Sequence, residues 1–304
     1  MPRRIIINRP YGQLGNTLYR LSNIIAFAIE KDIIVWDRSM HLSGYSNLFP
    51  RIKNRLIMSY PRSLILPFSC RQFHRIQSRL LMIYIRNEGF QVNETNSVEK
   101  QLVLDESSLF GKDRNTVVLE GFHYSADAYV QKHASILRWI FIPQRKIAFQ
   151  ARDQASKLKN GKYLLVAVHL RRGDFKRWSS GKYYFSLEYY RLAIENTIRI
   201  HQGEDIKFVI FSDDKELDYS CFEGINYSRL HNFSNISFDW YFMSLCDYII
   251  SPLYSTYSGW ASFYGETPMY RLNGTNLPKR RSDFIFKPFL NNSREHNKAM
   301  EAMS

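Results

Sequence analysis

Hydrophobic positions along the chain alternate between short solid runs and longer stretches at helical spacing. Residues 5–8, Ile-Ile-Ile-Asn, make a strand-like run. Residues 10–16, PYGQLGN, carry the glycines of a turn, and 17–30, TLYRLSNIIAFAIE, space their apolar residues as a helix does. Ile33-Ile34-Val35-Trp36 predicts a second strand. Strand, loop, helix, strand is the unit of a parallel sheet with crossover helices. Further on, 117–122 predicts a strand and 124–139 a helix; the pattern breaks near Ile142-Pro143, and 144–160 predicts a polar, lysine-rich helix.

The second half repeats the rhythm more cleanly. A strand over 163–169 enters the charged loop LRRGDF, and Ser186 is placed to cap a helix reaching about His201. A strand over 206–212 ends in Asp213-Asp214; a helix over 237–246 leads to a strand over 247–251, then to SPLYSTYSGW and a helix beginning near Ser258. The pattern predicts an α/β protein of two halves: a domain over 1–150, a second over 151–290, and a loose polar tail over 291–304, with the boundary around 143–160.

Composition adds a partner class. The 304 residues are 45% hydrophobic, enough for a sizeable core, and carry a net charge of +14. So basic a chain suits an acidic partner: nucleic acid, an anionic membrane surface or a phosphate-bearing ligand. Arg51, Lys53, Arg55, Arg62, Arg71, Arg75, Arg79 and Arg86 fall in 51–86 with no acid among them, interleaved with apolar residues. That stretch is either a solvated basic face or a surface-lying element that touches anionic lipid. No zinc-finger, KH or RRM pattern accompanies the charge, so nucleic acid is not the expected partner. Cys70, Cys221 and Cys246 form neither a disulfide framework nor a zinc pattern. No apolar run is long enough to span a bilayer. The expected place is cytoplasmic, with a peripheral contact at the inner membrane.

The candidate chemistry sits at strand ends. In open parallel sheets ligands bind beyond the carboxyl ends of the strands. There lie His169, Arg171, Arg172 and Asp174, then Asp213 and Asp214, then Ser255, Thr256 and Ser258. Arginine is a rigid fork for phosphate, and a hydroxyl-rich turn opening a helix offers phosphate N–H groups and a positive dipole end. Neighbours on an extended segment point to opposite sides, so one arginine should face a ligand and the other brace the loop. Each piece has an ordinary explanation: surface ion pairs for the arginines, a turn for the aspartates, a helix cap for the serines, a buried core position for His169. There is neither a G-x-x-x-x-G-K-[ST] nor a G-x-G-x-x-G, which argues against a P-loop or dinucleotide fold.

At these residues the chain resembles the α1,2-fucosyltransferases, glycosyltransferase family 11, within the wider group of GDP-fucose enzymes with an H-x-R-R-x-D motif. The stretches that carry it are GQLGNTLYRLSNIIAFA (12–28), VLEGFHYSADAYV (118–130), VHLRRGDF (168–175), SLEYYRLAIE (186–195), FVIFSDD (208–214) and FDWYFMSLCDYIISPLYSTYSGWASFYG (238–265). The resemblance implies a GT-B fold: two Rossmann-like domains facing across a cleft. It implies inverting transfer of fucose from GDP-fucose, without metal or other cofactor, to a galactose-like hydroxyl of an oligosaccharide or lipid-linked precursor, in a bacterial setting. It implies that Arg172 holds the donor β-phosphate with Ser255, Thr256 and Ser258, and that Asp213 or Asp214 reads the guanine. Gly15 and Asn16 would line the cleft from the other domain. His169 and Asp174 would orient the loop, either one serving as proton acceptor. The chain departs from the family pattern at Tyr11, where a second glycine is usual, at Thr17 in place of glutamine, at the added charge of Arg20, and at Gly259 in place of an aromatic. These positions are expected to shape the sugar or acceptor pocket. The alternatives are a same-fold transferase with another linkage or GDP-sugar, and a non-catalytic polyanion-binding protein.

Overall fold

The structure, a computed structural model, describes residues 3–54, 91–95, 102–112, 114–230 and 236–286. Most of the basic stretch expected to touch lipid, and the tail expected to be loose, lie outside the described residues. The chain divides into two compact units, Met1–Gln144 and Arg145–Ser304.

In the first unit β1 (Arg4–Ile7) leads to α1 (Leu14–Glu30) and β2 (Ile34–Asp37); α2 (Ser39–Leu42) and α3 (Pro50–Asn54) follow. Then come β3 (Gln91–Thr95), β4 (Leu102–Val103), α4 (Glu106–Phe110), β5 (Thr116–Gly121), β6 (Tyr124–Ser125), α5 (Asp127–Lys132) and α6 (Ala134–Ile140). The main sheet runs β2-β1-β5-β3, every pair parallel. The central strands β1 and β5 are mostly apolar because both their faces are covered. Ile5, Ile7, Val117 and Leu119 are fully buried, as are Leu18, Leu21 and Ile25 of α1.

Two expectations shift. The helix opens at Leu14, so Gly15 and Asn16 belong to its first turn rather than to the preceding loop. The helix expected over 124–139 is a two-residue strand followed by two helices broken at His133.

The second unit holds α7 (Arg145–Lys159), β7 (Leu164–Leu170), α8 (Leu187–Ile200), β8 (Ile206–Ser212), β9 (Tyr227–Arg229), α9 (Ile236–Met243), β10 (Tyr248–Pro252), α10 (Thr256–Gly265) and β11 (Met269–Leu272). The sheet runs β11-β10-β7-β8-β9, again all parallel. One face packs Val166, Val168, Phe208 and Ile210 on Tyr190 and Ile194 of α8. Trp240 and Phe242 of α9 and Trp260 of α10 are fully buried, with the Trp240 and Trp260 rings 6.1 Å apart. Register sets Leu170 beside Ser212, so β7 and β8 end level and their loops meet. From β7 the chain moves to β8 and β9 on one side and returns to β10 on the other. The β7/β10 junction is therefore the switch point where an open parallel sheet leaves a crevice.

Candidate functional site

The loop after β7 is built around Arg171. Its guanidinium donates to Asp174 Oδ1 at 2.8 Å and to Asp213 Oδ2 at 2.9 Å, with only 15% of the side chain exposed. Asp213 Oδ1 accepts hydrogen bonds from the backbone N–H of Arg172 at 2.7 Å and of Gly173 at 3.0 Å. This close approach explains Gly173: a Cβ there would lie 2.8 Å from Asp213 Oδ2. Both oxygens of Asp213 are thus engaged in the loop. In this structure Asp213 braces the loop.

Arg172, the next residue, turns the other way. Its guanidinium lies over the Tyr184 ring, 4.2 Å from the centroid, and Nη1 donates to the Phe185 carbonyl at 2.9 Å. Its Nε is buried with no acceptor among the described residues. A buried donor left unpaired is costly, and an anion would satisfy it.

Across the switch point, Ser255 caps α10, its side chain accepting from Ser258 N–H. Ser258 Oγ is hydrogen-bonded to Ser251 Oγ of β10. Thr256 is the first helical residue and is partly exposed. The preceding residue, Tyr254, has φ +65°, a left-handed conformation unfavourable for a tyrosine. That kink aims the cap and the helix N-terminus past the strand end. The positive end of the helix dipole there favours an anion.

His169 is buried beneath this turn, Nδ1 3.3 Å from Ser255 Oγ and its ring 5.6 Å from that of Tyr257. Burial, assisted by the charge of Arg171, pushes its pKa down to about 3. It is therefore neutral at physiological pH and turned toward Ser255. Its contact with Ser255 Oγ holds the serine turn. Asp174 is half exposed and paired with Arg171. Asp214 Oδ1 accepts from Glu216 N–H at 3.1 Å, the geometry of a turn.

Two residues escaped the sequence reading. Asp239, in the first turn of α9, is largely buried and makes no hydrogen bond to another described residue. Burial raises its pKa to about 7. Its signal was an acid inside an otherwise apolar run, FDWYFM. Trp240 N–H, one residue on, donates to Tyr257 Oη, and Tyr257 Oη donates to the Ile236 carbonyl, so this turn is pinned to α10. Arg271 of β11 stands in register with Ser251 and is partly buried; desolvation lowers its pKa to about 10, and its Nη1 has no acceptor among the described residues.

In the first unit the N-terminal motif is positioned by backbone constraints. Gly12 has φ +63°, and a Cβ there would collide with Asn16 Nδ2. Gly15 is buried and Asn16 half-buried in the first turn of α1. Arg20 and Thr17, expected to shape a pocket, are fully buried. Arg20 Nη1 donates to the carbonyls of Arg9 and Gly121, both at 3.1 Å, and Nη2 to Ser39 Oγ at 2.7 Å. Burial lowers its pKa, opposed by the Asp37 carboxylate. The added charge is a clamp tying the end of β1 to the end of β5.

Among the described residues no group of three or more His, Cys, Asp or Glu gathers as metal ligands do, and no helix is long and apolar enough to cross a membrane.

No protein-family model matches the chain, and no curated protein matches it. Solved structures do. NodZ α-1,6-fucosyltransferase soaked with GDP-fucose superposes with a TM-score of 0.58 at 14% identity, covering 90% of this chain and 97% of NodZ. NodZ from Bradyrhizobium solved separately gives 0.53 at 12% identity, covering 90% and 98%. A point mutant of Arabidopsis thaliana FUT1 in complex with GDP gives 0.57 at 11%, covering 91% of this chain and 73% of FUT1. The chain therefore has a mixed α/β fold with parallel sheets, of the kind found in these fucosyltransferases.

Proposed function

We propose that the protein is a glycosyltransferase that takes L-fucose from GDP-fucose by inverting, metal-independent transfer. In this reading the two units are the Rossmann-like domains of a GT-B enzyme, and the donor diphosphate lies at the β7/β10 switch point. The observation that carries the reading is Arg172: a guanidinium fixed on Tyr184, with a buried unpaired Nε, across from the capped N-terminus of α10. The fold shared with proteins solved with GDP and GDP-fucose supports the choice of nucleotide.

Each residue then has a part. Arg172 holds the β-phosphate, and Ser255, Thr256 and Ser258 hold the diphosphate oxygens with the helix N–H groups. As an acceptor hydroxyl attacks the anomeric carbon, its proton passes to Asp174 or to water, the C–O bond to the β-phosphate breaks, and its electron pair goes to the phosphate oxygen. Fixed positive groups that meet this growing charge lower the barrier. Arginine supplies the charge that a divalent cation would otherwise bring; the sequence contains no D-x-D. With Asp213 engaged in the loop, Asp239 and Asp214 are left to accept hydrogen bonds from a guanine edge. The resemblance gives Gly15 and Asn16 a part in holding the sugar. The acceptor is a galactose-like hydroxyl, O2 in the α1,2 reading, on an oligosaccharide or lipid-linked glycan. The basic stretch 51–86 would hold the enzyme near an anionic membrane where such precursors lie.

The test is thermal shift with GDP, GDP-fucose, GDP-mannose, UDP and ADP, with and without EDTA. A ligand that binds only the folded state raises the midpoint by mass action. Shifts with GDP and GDP-fucose that EDTA leaves unchanged, abolished in Arg172→Ala, are expected. A preference for UDP or ADP would overturn the donor, and no shift with any nucleotide would overturn the reading.

A further inference from the structure

We propose that the carboxyl edge of β1 and β5 is a sugar-binding subsite, with the Tyr11 ring as its stacking platform. The subsite rests on the transferase reading only in being assigned to the acceptor.

The sheet order β2-β1-β5-β3 makes the β1/β5 junction the switch point of the first unit. Arg9 and Tyr11 follow β1 there; Glu120 ends β5, and Phe122 follows it. The Tyr11 ring stacks on Phe122, centroids 5.6 Å apart and planes within 5°. Phe122 is buried and braced by Tyr19 and His123, with ring centroids at 5.5 and 4.3 Å. The platform is thus held from below. Tyr11 itself remains partly exposed, and its hydroxyl makes no hydrogen bond to a described residue. Arg20 fixes both loops at once by binding the Arg9 and Gly121 carbonyls.

The flanking charges decide the ligand class. Arg9 is 55% exposed, and its Nε lies 3.6 Å from Oε1 of the buried Glu120. Arg9 offers an exposed donor whose charge the carboxylate beneath it cancels. An anion therefore gains little here, whereas a neutral polyol needs only the donor. A pyranose such as galactose has an apolar C–H face to lay on an aromatic ring and hydroxyls for Arg9. Tyrosine suits this role, being apolar on its face and polar at its tip.

Saturation-transfer NMR tests it on the full chain with methyl β-D-galactoside and lactose, in the presence of GDP. Saturation of the sugar C–H protons is expected in the wild type and in Tyr11→Phe. Tyr11→Ala should weaken sugar binding about tenfold, with an unchanged midpoint shift from GDP as the control for folding. Sugar binding by Tyr11→Ala equal to wild type would overturn the subsite, as would a wild type that binds GDP but neither sugar. Loss of the GDP shift in the wild type would instead strike the donor reading, while the sugar result stands or falls by itself.

Discussion

Replacing Asp213 by alanine separates the role its contacts indicate from the role its position suggested. Its carboxylate accepts from two backbone N–H groups at 2.7 and 3.0 Å and from Arg171 at 2.9 Å. Hydrogen bonds to a charged group contribute about 1.5–3 kcal/mol each. Water can replace the carboxylate at the exposed amides, but less readily at Arg171, whose side chain is 15% exposed and would lose one of its two carboxylates. A loss of about 3 kcal/mol follows. For a unit of this size that lowers the unfolding midpoint by about 6–12 °C. The same change frees the Arg172 and Gly173 backbone, so affinity for anything held through phosphate should fall. Calorimetric unfolding without ligand, and titration with GDP and with pyrophosphate, measure both effects. Asp213→Ala should unfold earlier and weaken GDP and pyrophosphate by similar factors; Asp213→Asn, which keeps one acceptor oxygen, should lie between. A wild-type midpoint with selective loss of GDP would mean that Asp213 reads the base, and the bracing argument would be wrong.

Gly173→Ala should have the same signature more weakly, because its Cβ at 2.8 Å from Asp213 Oδ2 pushes the loop off the carboxylate; an unchanged midpoint and unchanged pyrophosphate affinity would contradict this. His169 titrates near 3 in the fold against about 6.5 in the unfolded chain. Between those values the unfolded state binds more protons, so stability falls as pH drops below about 6.5, by roughly 2 kcal/mol at pH 5. Urea midpoints at pH 7 and 5 should diverge less in His169→Gln; His123, lowered to about 4 by burial, acts in the same direction and serves as the second variant. Asp239 has the opposite sign. Its pKa is raised to about 7, so the fold binds the extra proton and loses stability as pH rises from about 4 through 7. Asp239→Asn should be more stable than wild type at pH 8 and should discriminate less between GDP and ADP; a less stable variant at pH 8 would refute the burial argument.

The central strands were legible because a parallel strand covered on both faces is a solid apolar run, whereas the short or polar β3, β4, β6, β9 and β11 were not. VAVHL and IKFVIFS could hardly be anything else between polar helices. The start of α1 was less so. Its cap, Gln13, makes no side-chain capping bond, so no Ser, Thr, Asp or Asn marked the boundary and Gly15 and Asn16 read as loop. The break at His133 has no Pro or Gly to announce it. It is made by tertiary contact, His133 Nε2 meeting Glu30 Oε2 at 2.8 Å from α1. At the site, residue types and strand ends were visible, but the division of labour was not. Asp213 joins Arg171 only because β7 and β8 end in register, about forty positions apart in the chain. Arg20 read as a pocket charge because its acceptors are backbone carbonyls, which no side-chain pattern records.

Arg20 and Arg171 nevertheless follow one rule. Each lies at the carboxyl end of its own sheet, each is largely buried, and each binds two loops that carry a partly exposed residue: Tyr11 in one unit, Arg172 in the other. A guanidinium can do this because its donors sit in a fixed fork; a lysine Nζ is a single point. Arg20→Lys would therefore hold at most part of the set formed by Arg9 O, Gly121 O and Ser39 Oγ, leaving buried acceptors at about 1–3 kcal/mol each. It should unfold earlier and lose galactoside saturation as Tyr11→Ala does, yet bind GDP as the wild type does. Arg171→Lys should give the mirror result, with GDP weakened and galactoside retained. If each lysine variant instead weakened both ligands equally, the arginines would be general supports of the fold, and the claim that each one orders its own subsite would fail.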